Sequence, residues 1–295
     1  MWIWIRCYFL KCVFLLAACL WLPVAYPACG LSVQSHAISL SIDENDPAWV
    51  DSNQPYQLDS RRSNFTIATG RWRLNHQYQQ LGYDRSNTDT PVTNGHLHRL
   101  ALAYENTRYT DSNPVNWSIQ PTLAVSSNQV RYSDHLNGSA FRLEGHVFWQ
   151  LTMQEYVRYY LGACLSVLTG DYELIPVLAL DYQDDNLHMV LGYPYSQLDL
   201  PMTGSTHLVA GWSLQGEQWQ VLDQSLQNRS DLRYSMQRFR MGLTFNSDSH
   251  HLFEFYWQKS IHRSIAYLDR NGNQLAHEVA NSEGWILRYV YLQSF

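Results

Sequence analysis

The chain reads as an all-β protein: an antiparallel, up-and-down transmembrane β-barrel of about twelve strands, roughly ten to fourteen as the range, behind a cleaved signal peptide. Three observations predict this. Apolar side chains recur at every second residue through most of the chain, as on a strand with one face in lipid. The connections between these segments alternate between long and short. The composition is poor in charge without being greasy: 16% charged and 14% aromatic residues coexist with a mean hydropathy of -0.33, because Gln, Asn, Ser and Thr stand where charges usually do. A wall wet on one side and lipid-facing on the other averages to such values.

Residues 1–28 read as an export signal. Arg6 and Lys11 form a positive start, Cys12 to Val24 is an apolar run, and Ala25-Tyr-Pro-Ala28 is a small-residue exit. Two alternatives use the same residues. One is an uncleaved anchor helix, since Trp2 to Lys11 is also rather apolar. The other is a lipoprotein signal, since Leu16-Ala-Ala-Cys19 has lipobox form, although the apolar segment continues past Cys19. After Ala28 no stretch approaches the ~18 uncharged residues of a spanning helix, which excludes an inner-membrane helical bundle. Residues 29–62 read as a periplasmic N-terminal segment or partial lumen plug: Ile38 to Ile42 alternates like one extra strand, and Asp43 to Ser60 is polar and loop-like. Residues 63–295 are the expected barrel.

Within it, alternation places strands near 65–76, 95–108, 115–126, 140–153, 157–168, 172–183, 186–193, 205–214, 217–226, 233–246, 250–267 and 284–295. The row Phe239, Met241, Leu243, Phe245 alternates with Arg238, Arg240, Gly242 and Thr244. Phe253, Phe255 and Trp257 oppose Glu254 and Gln258, and no helical period competes. Alternation is poorest in the first strand and around Trp219 to Val221. With the C-terminus periplasmic, the outward connections are the long ones: Gln77 to Asn94, Ser127 to Ser139 and Asp269 to Ala280, with short exceptions near Gly170 and Ser230. The periplasmic turns are short: 109–114, 154–156, 184–185, 215–217 and 247–249. Long outer loops and short periplasmic turns mark these barrels. A secreted β-sandwich, the soluble alternative, has no reason to sort loops by parity; Asn64, Asn116, Asn137 and Asn228 would then be its glycan acceptors.

The final strand carries Trp285, Leu287, Tyr289 and Tyr291 on one face and ends on Phe295. It resembles the C-terminal signal by which bacterial outer-membrane barrels are read by the barrel assembly machinery, with Gln293 standing where an aromatic or aliphatic residue is usual. The blocks Tyr172-Glu-Leu-Ile-Pro-Val-Leu-Ala-Leu-Asp-Tyr182, Leu187-His-Met-Val-Leu-Gly-Tyr-Pro194 and Tyr267-Leu-Asp-Arg-Asn-Gly-Asn-Gln-Leu275 are similar to blocks of an uncharacterised family of Gram-negative outer-membrane β-barrels, a domain of unknown function. The likeness runs in order over about 63–295. It implies a cell outer-membrane location and no inherited activity.

Strand parity then fixes the expected lumen. Arg71, Arg73, Arg99, Arg142, Arg158, Arg238, Arg240 and Arg288 face inward with His146, against Glu105, Glu144, Asp181 and Glu254. One reading is a salt-bridged structural interior. The other is a narrow passive pore whose excess of arginine favours anions. Lys259, above Trp257 on the lipid side, suits the phosphates of lipopolysaccharide, so outer-membrane lipids and lipopolysaccharide are expected partners. A net charge of -6 with no basic run argues against nucleic acid.

No enzyme and no cofactor is expected. Tyr132-Ser-Asp-His-Leu-Asn-Gly138 superficially resembles the His-x-Ser-Asn-Gly element of outer-membrane phospholipases, but its serine is missing. His262-Arg-Ser264 puts both side chains on one strand face, which leaves a lipid-modifying enzyme as the alternative function. Asp269-Arg-Asn-Gly-Asn273 lacks the acidic ligand of a calcium loop and reads as a turn. Cys7, Cys12 and Cys19 lie in the leader; Cys29 and Cys164 form either a disulfide or two unpaired thiols, and no zinc pattern exists.

Overall fold

A computed structural model describes residues 29, 36–51, 56–83, 96–110, 113–131, 136, 138–154, 156–222, 229–268 and 274–292. Residues 1–28, the expected signal peptide, lie outside the described residues. Alternation resolves into β1 (His36–Val50), β2 (Tyr56–Thr69), β3 (Trp72–Tyr83), β4 (His96–Thr110), β5 (Asn113–Ser126), β6 (Phe141–Gln154), β7 (Val157–Ser166), β8 (Glu173–Gln183), β9 (His188–Tyr193), β10 (Tyr195–Pro201), β11 (Thr206–Leu222), β12 (Arg229–Asn246), β13 (His251–Leu268), β14 (Gln274–Val279) and β15 (Ser282–Leu292), with a short helix α1 (Ser127–Arg131) after β5. From β1 to β13 each strand pairs antiparallel with the next, β13 also pairs with β14 and β15, and β1 pairs with β15 through Ala37↔Leu292 to Asn45↔Gly284, so the sheet closes. β14 and β15 keep one register along β13, broken only at 280–281, and count as one wall strand. The wall therefore has 14 strands, an even number as expected for such barrels.

Four expectations are corrected. Residues 36–50 and 56–62 are wall, not a periplasmic segment or plug: β1 and β2 pair with each other and β1 with the last strand. The segment 65–76 straddles a turn at Gly70, whose φ of 57° suits glycine, and its halves belong to β2 and β3. The segments 205–214 and 217–226 are a single strand up to Leu222, with no turn at 215–217. β10, a partner of β9 in a tight hairpin, went unseen in sequence because Tyr193-Pro194 punctuates so short a run. One closed sheet also replaces the soluble sandwich, which needs two stacked sheets.

The outward face is apolar. Phe239, Met241, Leu243 and Phe245 on β12, Phe253, Phe255 and Trp257 on β13, and Leu100, Leu102 and Leu74 on β4 and β3 are all solvent-exposed. The inward face holds the buried polar residues, Glu144, Gln258, Glu254 and Arg288 among them. Water-soluble proteins put these sets the other way round. Near the short turns, Trp72, Tyr104 and Trp117 form an aromatic row, with ring centres 4.8 and 5.7 Å apart. Such girdles mark the edge of the hydrocarbon layer. A closed wall leaves no sheet edge unpaired in lipid, and this wall spans a bilayer.

The two ends differ in width. β6 leaves β5 after Leu123↔Phe141, and β10 leaves β11 after Tyr195↔Ser213. Beyond those points β11 bends inward and meets β5 directly, in parallel, at Gln220↔Val125. Gln220 also bonds the Gln129 amide of α1 and the Ser139 hydroxyl, each at 2.9 Å. At the loop end the wall is thus a narrower ring of β1–β5 and β11–β14. Its inside is filled by an apolar layer in which Trp219, Val221, Leu232 and Tyr234 pack on Val50, Tyr56, Leu58 and Leu97. The turn after β7 then covers the outward face of β11: Leu168 packs near Leu214, beside the Cys29–Cys164 disulfide and Ile175 and Val177.

Candidate functional site

Beneath the apolar layer lies a polar chamber of about 210 Å³, lined by Arg62, Arg73, Arg99, Arg238, Arg240 and Arg288 together with Asp43, Glu217 and Glu254. Each guanidinium reaches it because its strand turns alternate residues inward. A buried guanidinium must be paired, and five of these six are. Arg288 meets Glu254 at 3.1 Å, Arg238 meets Asp43 at 2.8 Å, Arg99 meets Glu144 at 2.6 Å and Arg62 meets Glu217 at 3.7 Å. Arg73 pairs with Glu105. Arg240 pairs with no carboxylate among the described residues: it donates to Gln197 at 2.8 Å and lies 5.2 Å from the centre of the Tyr256 ring.

The remaining lumen residues complete the same pattern. Arg142 approaches Glu144 at 3.7 Å, and Arg158 approaches Asp181 at 3.7 Å. His146 meets the Ser118 hydroxyl at 2.9 Å and stacks on Phe148. Arg71 is the exception. It sits in the β2–β3 turn, exposed, and donates to the outward-facing Tyr104 hydroxyl at 3.3 Å, so it does not line the lumen. The expected two-to-one excess of cations is also corrected. Asp43, Asp199 and Glu217 are buried on the inward face, as are Arg62 and Arg263, so that among the described residues nine inward arginines face seven carboxylates, close to even. Asp43 was legible: it continues the polar row Ser39, Ser41 between Ile38, Leu40 and Ile42. Glu217 was not, because the bend in β11 obscures its parity.

On the lipid side, Lys259 forms an exposed ion pair with Glu283 at 3.4 Å. Trp285 and Leu287 are exposed on the outward face, where Tyr289 packs on Phe253 and accepts or donates a 2.7 Å bond with His251. Tyr291 lies against His251, and Phe295 lies outside the described residues. Asp269 to Asn273 and His135 lie outside them too. Among the described residues no group of His, Cys, Asp or Glu is placed to hold a metal ion.

The even strand number, closed wall, apolar belt, aromatic row and short turns at one end make this an outer-membrane β-barrel. No family model and no curated protein matches the chain. Among solved structures, the chain is similar to the toluene transporter TodX of Pseudomonas putida, at 8% identity and a TM-score of 0.40 over 92% of this chain and 94% of that one. An outer membrane channel from Pseudomonas putida F1 matches at 11% identity and a TM-score of 0.41, over 91% and 99%. The outer membrane protein Omp33 of Acinetobacter baumannii matches at 7% identity and a TM-score of 0.33, over 88% and 99%. Likenesses this loose transfer no activity to the chain.

Proposed function

We propose that the chain is a structural outer-membrane barrel with a sealed, salt-bridged lumen, whose working surface is its outside and its loop end. The observation that carries this is the inward bend of β11, which fills the loop end with Trp219, Val221, Leu232 and Tyr234 above an almost charge-balanced polar chamber. An open conduit needs a continuous wet path, and the apolar layer interrupts it. Its partners on this reading are the barrel assembly machinery, through the outward row Trp285, Leu287, Tyr289 and Tyr291, and outer-membrane lipids and lipopolysaccharide, through the belt and Lys259.

Planar-bilayer recording of the refolded barrel under a salt gradient is the test. No steady conductance is expected. Steady anion-preferring current would replace this reading by the narrow pore, for which Arg240, the one of the six chamber arginines without a carboxylate partner among the described residues, is the supporting feature.

A further inference from the structure

One place on the outer surface departs from regular sheet geometry in three ways at once. His262 has a φ of 47°, the only non-glycine residue among those described to lie in the left-handed region. It lies at a bulge: β13 pairs Ile261 with Gln237 but Ser264 with Ser235, so β13 carries one extra residue. Directly across, the neighbouring wall strand is interrupted at 280–281, between β14 and β15. A left-handed non-glycine residue is strained, persists only where its surroundings hold it, and concentrates at functional sites. Bulges re-aim a side chain.

The disruption opens a groove of about 830 Å³ whose lining includes Trp49, Ile261, His262, Ser264 and Glu278. Arg263 and Ile265 are buried on the inward face, which leaves Ser264 on the outward one; Ser264 and Glu278 are directly opposed across the strands. Opposed side chains have their Cβ atoms about 5 Å apart. Along β13 the groove begins just past the lipid belt of Phe253, Phe255 and Trp257 and the Lys259–Glu283 pair. That level is where the acyl esters of outer-leaflet lipids lie, wet enough for hydrolysis and beside an apolar wall.

We propose that His262, Ser264 and Glu278 form a serine-hydrolase site that cleaves an acyl ester of an outer-leaflet lipid. A base beside a hydroxyl, with a carboxylate to orient the base, is the arrangement that activates a serine. In the resting state Ser264 Oγ shares a 2.7 Å hydrogen bond with Ser235 Oγ, and the reaction requires it to exchange that bond for one to His262, which lines the same groove. Ser264 Oγ then adds to the ester carbonyl as its proton passes to the His262 imidazole. The tetrahedral adduct collapses, the C–O bond to the glycerol or sugar oxygen breaks, and that oxygen leaves with the proton from His262. Water, deprotonated by His262, attacks the acyl-serine and releases the fatty acid, returning the proton to Ser264. Glu278, opposed to Ser264 across the strands, is the positioning residue whose carboxylate orients the imidazole. Trp49 and Ile261 offer apolar surface to the acyl chain, and Lys259 lies near for a lipid phosphate.

This site is outside the lumen, so its failure and the failure of the sealed-barrel reading are separate results. The refolded full-length barrel, its fold checked by heat-modified gel mobility, is treated with a fluorophosphonate probe, and fatty-acid release is measured from mixed micelles of phosphatidylethanolamine and from lipopolysaccharide. The wild type is expected to be labelled and to release fatty acid from one of the two lipids, which identifies the source. Ser264→Ala should abolish labelling and His262→Ala should lower turnover about a thousand-fold or more. Glu278→Gln should retain labelling, with turnover lowered and its pH profile shifted. Ser247→Ala, in a turn at the opposite end, should match the wild type. A folded wild type that is neither labelled nor active on either lipid, or labelling that survives in Ser264→Ala, overturns the proposal.

Discussion

At the residue scale, the lumen rests on pairs such as Arg288 with Glu254, both almost fully buried. Taking either charge out of water is costly, and the partner offsets that cost. Glu254→Gln therefore strands a buried guanidinium and is expected to destabilise the barrel by about 3–5 kcal/mol, whereas Glu254→Leu with Arg288→Met should be close to neutral. Urea titration in lipid vesicles, followed by gel mobility, measures both. Most members of this network were legible because period-two alternation fixes the face of a side chain once the strand is located. Arg71 and Arg73 show the limit. They share i, i+2 spacing, yet a turn at Gly70-Arg71 separates them, so parity counted across it put Arg71 on the wrong face. His262 illustrates the converse: a bulge is a property of backbone pairing, and no side-chain pattern announced it.

At the element scale, the bend of β11 depends on Gly216. A Cβ there would collide with the carbonyl of Val167 and with backbone atoms of Leu168 and Gly170 in the turn that covers it. Gly216→Val is expected to force that turn off β11, at about 1–3 kcal/mol or more. Trp219→Ala, which empties the centre of the apolar layer, should cost about 3–5 kcal/mol. Tryptophan fluorescence during urea titration reads the first, and in bilayers both variants should show conductance absent from the wild type. The turns at the opposite end make a different prediction. Asp248 Oδ1 accepts hydrogen bonds from the backbone N–H groups of His250 and His251 at 2.7 and 2.8 Å, and Asp184 Oδ1 accepts from Asn186 and Leu187, each at 2.8 Å. These bonds, those to His250 and Asn186 first, hold both carboxyls below their ordinary value of 3.8. A lowered folded value stabilises the turns at pH above the ordinary value and is lost as pH falls through the folded one. Hydrogen exchange at 249–251, corrected for its intrinsic pH dependence, should show the turn loosening only below about pH 3.8, and Asp248→Asn should remove that dependence.

At the scale of the whole molecule, the barrel changes circumference along its axis, and something must hold the strands that drop out. β6 to β10 lose their wall neighbours at the loop end and would present unpaired edges. The turn after β7 is instead fastened to β11 by the apolar contact of Leu168 and Cys164 with Leu214, and to β12 by Gly170 against Ser235 and by the Arg233–Asp171 ion pair. The Cys29–Cys164 disulfide lies within that apolar contact, with the two Cα atoms 5.5 Å apart and a sequence separation of 135. A link closing so long a loop removes much freedom from the unfolded chain, up to about 5 kcal/mol on the chain-entropy model. It also ties residue 29 to the inner face of β7, in the β6–β10 sector that drops out of the wall at the loop end. Replacing both cysteines by serine should therefore lower the urea midpoint, and lower it more than reduction of a surface disulfide would, because two hydroxyls are left in an apolar cluster. The paired Cys→Ala variant separates the contributions: it retains the loss of the cross-link but adds no buried polar group. Equal midpoints for the wild type and the Cys→Ala variant, with gel mobility unchanged by reductant, would show that the contact around β11 holds the narrowed end without the covalent tie.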